Sequence, residues 1–107
     1  MIHVTTTCAN LNQAREIARE VLTARLAACV NITPGVVSLF HWQGQIEEDT
    51  EVTLVAKTTP ERRADLVAAI QRSHPYDLPV ISWEEVGTTP DARRWCYAET
   101  GGAQSPD

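Results

Sequence analysis

The stretch ACVNITPGVVSLFHWQGQIEEDTEVTLVAK, residues 28 to 57, decides the fold. Both halves are rich in β-branched residues, the first also carries Phe40 and Trp42, and Gln43-Gly44 supplies a two-residue turn between them. The stretch is therefore expected to be a hairpin, one arm from Ala28 to Trp42 and the other from Gln45 to about Lys57. Pro34-Gly35 interrupts the first arm, where a missing amide and a permissive glycine bend the chain or form a bulge. Arms of about 13 to 15 residues are far longer than the average strand of about 5 to 6.

Working outward, Ile2 to Cys8 is a strand with Ile2, Val4, Thr6 and Cys8 on one face. Asn10 caps a helix, with Gln13 in the capping-box position, and Ala14, Ile17, Ala18, Val21 and Leu22 repeat at helical steps until near Arg25. Past the hairpin, Thr58 and Pro60 are expected to open a second helix whose buried stripe is Leu66, Val67, Ala69 and Ile70. Val80 to Val86 is expected as the last core strand, a short helix starts at Asp91, and residues 101–107 form a flexible tail after a single domain over 1–100. The order β-α-β-β-α-β defines an α+β, ferredoxin-like sandwich with both helices on one face of an antiparallel sheet. A hairpin this long overhangs its own sheet and leaves unpaired edges. Closed self-association is the expected resolution, burying the helix-free face to which Val52, Leu54 and Ala56 are assigned.

Composition narrows the function. The chain has 107 residues, 43% of them hydrophobic, and a formal net charge of -5, which speaks against nucleic acid and anionic membrane surfaces as partners. No run approaches the roughly 20 apolar residues of a membrane span. The start MIHVTTTC has no signal-peptide pattern, so a cytoplasmic protein is expected. Three widely spaced cysteines, Cys8, Cys29 and Cys96, contain no C-x-x-C pair and imply separate reduced thiols. Among functions that share the fold, a soft-metal chaperone needs two thiolates in the first loop, but TTTCANL has Leu11 where the second would stand. An acylphosphatase-like enzyme needs an arginine in a glycine-rich loop there, and RNA binders need stacking aromatics on the central strands. Neither is present, and no nucleophile-base signature appears, so no enzyme class is supported.

RLAACVN leaving the first helix, the W-x-G-x-I turn, the EVTLVAKT strand and HPYDLP occur in that order over about residues 3 to 86. With these motifs the sequence closely resembles the CutA family, the divalent-cation tolerance proteins. The resemblance implies a tight homotrimer akin to the PII signalling proteins, associated with copper and other divalent cations. It also implies a metal site that includes His74 and Cys29, to which Asp77 is added as the carboxylate that remains in the segment. Where members of the family usually carry an acid, this chain has Val80.

Each residue also has a structural reading. His74 follows Ile70 by four residues and precedes Pro75, so it suits a helix end, and Cys29 suits a small buried hydrophobe. Trp42, Lys57 and Tyr76 are candidates for an intersubunit cleft, the alternative being that the rings pack the assembly and Lys57 is solvated. Glu47, Glu48, Asp49 and Glu51 are expected as solvated charge after the turn or as weak capture of divalent cations. The alternative function is a PII-like signalling or scaffold trimer that holds a small organic ligand or partner protein in that cleft. A small hydrolase using His74 with Asp77 is a third possibility.

Overall fold

The computed structural model describes residues 1–102, so the tail expected over 101–107 lies outside the described residues from 103 onward. The elements run β1 (Ile2–Cys8), α1 (Leu11–Thr23), β2 (Cys29–Trp42), β3 (Gln45–Thr58), α2 (Arg63–Ser73), β4 (Ser82–Glu85) and α3 (Pro90–Glu99). The sheet order is β2-β3-β1-β4 with every pairing antiparallel, which is the ferredoxin-like arrangement.

Period-two alternation places Ile2, Val4, Thr6 and Cys8 in the interior. Asn10 caps the helix by accepting a hydrogen bond from the Gln13 amide, while the Gln13 side chain reaches back to the Ala9 amide, one residue before the capping-box partner. Ala14, Ile17, Ala18 and Val21 then pack onto the sheet, while Leu22 is 38% exposed rather than part of the stripe. Leu66, Ala69 and Ile70 of α2 join the same core as Val4, Leu54 and Ala56. Val52, Leu54 and Ala56 therefore face the helices, which corrects their assignment to the helix-free face. Alternation fixes which residues share a face, but only the packing of α1 and α2 decides which face that is.

Two further boundaries differ from expectation. Thr58 ends β3 instead of opening α2, and its buried hydroxyl donates to the Leu26 carbonyl at 2.7 Å. The helix begins at Arg63 after a turn and has no side-chain cap. The last strand is not a core strand: β4 has four residues, all exposed, and pairs only with Ile2–Thr5 of β1 at the sheet edge.

The hairpin arms are 14 residues each. Gln43 and Gly44 have φ of 51° and 78°, the left-handed pair that a type I′ turn requires. β1 pairs with β3 only from Val52 to Thr58, so Gln45–Glu51 has β2 as its sole neighbour. The overhang gives extents of 50 × 24 × 21 Å and a radius of gyration of 14.8 Å. A compact chain of this length has about 13 Å.

Candidate functional site

The site begins with strand parity. On β3, Glu47, Asp49, Glu51, Thr53, Val55 and Lys57 fall on the helix-free face, opposite the buried Val52, Leu54 and Ala56. β2 changes parity at its bulge, because Thr33 pairs with Thr53 but Val36 pairs with Glu51. Gly35, with φ of 78°, takes the left-handed conformation that absorbs the extra residue. Ser38, Phe40 and Trp42 are thereby turned onto the face that carries the acids. After α2, residues 75–80 cross the end of β1 and are held there by a bond from the Thr6 hydroxyl to the Val80 carbonyl at 2.8 Å. Between this segment and the hairpin lies a concavity of about 790 Å³. Its hairpin wall carries Phe40, His41, Trp42, Glu47, Asp49 and Glu51, and its loop wall carries Tyr76, Asp77, Leu78 and Val80.

His74 ties the two walls together. It caps α2, and its ring is buried and sits 4.7 Å from the Tyr76 ring. Nε2 lies 2.8 Å from the Thr7 carbonyl, and Nδ1 lies 3.2 Å from the Tyr76 amide nitrogen. One tautomer satisfies both contacts: Nε2–H donates to the carbonyl and Nδ1 accepts from the amide. Neither nitrogen keeps a free lone pair for a cation in this conformation.

Glu51 is the residue that sequence reasoning missed. It is only 9% exposed, although it belongs to a run expected to be solvated. The Tyr76 hydroxyl donates to it at 2.8 Å, and the Ser38 and Thr7 hydroxyls donate as well. Burial pushes this carboxyl up, but the three hydroxyls, with a smaller contribution from His74, more than reverse the effect and leave it below its ordinary value. Tyr76 moves upward, through burial first and then its bond to the Glu51 carboxylate. Parity with Thr53 marks the face of Glu51, but no spacing in the sequence places Tyr76 opposite it.

The remaining candidates separate into two groups. Trp42, Tyr76 and Asp77 share the concavity. Cys29 and Lys57 are register partners at the far end of the sheet, level with His3. His3 is four residues from Thr7, which puts them about 13 Å along the strand from His74. Within one chain, His74, Cys29 and Asp77 do not converge, and among the described residues no group of three His, Cys, Asp or Glu stands in metal-holding proximity. The thiols of Cys8 and Cys96 are buried, and burial pushes both upward, which keeps them unreactive.

A four-stranded antiparallel sheet, two helices on one face and an overhanging hairpin with a walled concavity define a long-hairpin, ferredoxin-like α+β protein. Residues 2–99 match the family model described as CutA1 divalent ion tolerance protein, and the chain belongs to that family. A protein CutA homolog of Xenopus laevis is 39% identical over 90 residues, covering 83% of this chain; the chain spans 60% of that relative's length. The solved divalent cation tolerance protein (Cut A1) of Thermus thermophilus superposes with a TM-score of 0.88 at 36% identity, covering 94% of this chain and 100% of that one. A structure from Archaeoglobus fulgidus, described as a periplasmic divalent cation tolerance protein CutA, gives 0.89 at 31% identity over 94% and 99%. These descriptions name a tolerance role, and none of the three names a reaction.

Proposed function

We propose that this protein acts in divalent-cation tolerance as a cytoplasmic homotrimer without catalytic activity, binding or responding to copper and other divalent ions. The observation that carries this reading is the overhanging hairpin. Its distal half exposes Val37, Leu39 and Ile46, at 63%, 64% and 72%, beside the half-exposed Trp42. Long unpaired edges with such a surface favour closed assembly over isolated chains. The PII-like homotrimer that the family resemblance implies supports three copies, and three unpaired cysteines support a reducing compartment. Because Cys29 and Asp77 stand apart in one chain, a metal site that uses both draws on more than one copy.

A Cu(II) titration of reduced, metal-free protein followed by electron paramagnetic resonance tests the metal reading, with Cys29→Ser and Asp77→Asn run alongside. A saturable signal weakened by either substitution supports direct binding at these residues. Absence of saturable binding refutes it. The second reading, a PII-like module for a small organic ligand, is favoured by the concavity itself, whose volume and aromatic walls suit such a molecule.

A further inference from the structure

Lys57 is the single lysine among the nine Lys and Arg residues, and no strand carries another permanent cation. It points to the helix-free face, and among the described residues no carboxylate lies within ion-pair distance of it. Glu84, level with it across β1, is two strands away, about 10 Å. At the other end of the same face, Glu47, Asp49 and Glu51 succeed one another about 7 Å apart. Among the described residues these acids are not drawn together into a group that could hold a metal ion. None of the described residues that line the concavity is Lys or Arg, while Phe40 and Trp42 offer ring faces to a cation. Lys57 cannot neutralise this ladder in its own chain, because the nearest rung, Glu51, is six residues or about 20 Å along the strand.

We propose that Lys57 of a second copy of this chain seats its ammonium among Glu47, Asp49 and Glu51, so that the acid end of one helix-free face docks on the lysine end of the next. This rests on the self-association proposed above and adds the contact that sets its register. The concavity is then completed by the neighbouring copy, whose Lys57 joins Trp42 and Tyr76 across the interface although it lies far from both in its own chain.

Charge exchange followed by sedimentation velocity tests the pairing, with circular dichroism to verify folding. Lys57→Glu and Asp49→Lys each raise the concentration for half-dissociation by at least about tenfold, because like charges then meet across the interface. The double variant Lys57→Glu with Asp49→Lys recovers to within about threefold of wild type. Lys57→Met, which keeps the length of the side chain, weakens assembly and flattens its dependence on salt. Assembly of Lys57→Glu at wild-type concentrations in low salt, or a double variant no better than its worse parent, overturns the contact and leaves self-association standing. A wild-type protein that stays monomeric overturns both.

Discussion

Replacing Tyr76 with Phe removes one hydroxyl and keeps the ring, so it isolates the 2.8 Å bond to Glu51. A hydrogen bond to a charged group contributes about 1.5–3 kcal/mol. At 9% exposure Glu51 finds little water to replace the lost donor, but Ser38 and Thr7 continue to donate to it. The expected loss is therefore at the lower end, about 1.5 kcal/mol at pH 7. For a domain of this size that lowers Tm by roughly 6 to 12 °C. Thermal unfolding by circular dichroism measures it, with both proteins at one concentration because self-association moves Tm by mass action. Acidification adds a signed test. The Glu51 carboxyl lies below its ordinary value in the folded chain, so its ionised form stabilises the fold at every pH above the unfolded value, about 4.3. That contribution disappears as pH falls through the lower folded value. The gap between wild type and Tyr76→Phe is thus full at neutral pH and shrinks below about pH 4. A variant within about 0.5 kcal/mol of wild type at pH 7, the range of an uninvolved surface change, refutes the reasoning. A gap that widens in acid does the same.

Leu54→Ala, at a fully buried position beneath both helices, costs about 2–5 kcal/mol in urea unfolding through lost burial and the cavity left behind. Thr58→Val keeps the shape but strands the Leu26 carbonyl, a loss of about 1–2 kcal/mol by the same measurement. Gln43→Asn gains up to about 1 kcal/mol, because asparagine tolerates the left-handed conformation of the turn better than glutamine does.

Much of the fold was legible because local chemistry and tertiary structure agree. Asn10 caps the first helix where a cap is expected, with Gln13 reaching back to Ala9, Gln43-Gly44 makes the hairpin turn, and Pro34-Gly35 marks the bulge. The misreadings have a shared origin in long-range placement. Val52, Leu54 and Ala56 do share a face, but it is the opposite one from that expected, since a period of two carries no information about which side the helices cover. Val80 to Val86 looks like a core strand by its apolar ends, yet only four residues find a ladder, at an edge. The site was legible in its residue types more than in its geometry. His74 and Tyr76 are adjacent to the concavity, but their hydrogen bonds to Thr7 and Glu51 join elements 67 and 25 residues apart. Glu51 itself was hidden among solvated neighbours, and its burial follows from the loop that folds over it.

The overhanging hairpin calls for self-association, and sedimentation equilibrium of the wild-type protein at micromolar concentration tests this most directly. A single species of three chain masses, at 11.8 kDa per chain, is the predicted result. A species of one chain mass across the concentration range would show that the exposed Val37, Leu39 and Ile46 are left in water, and would contradict the account.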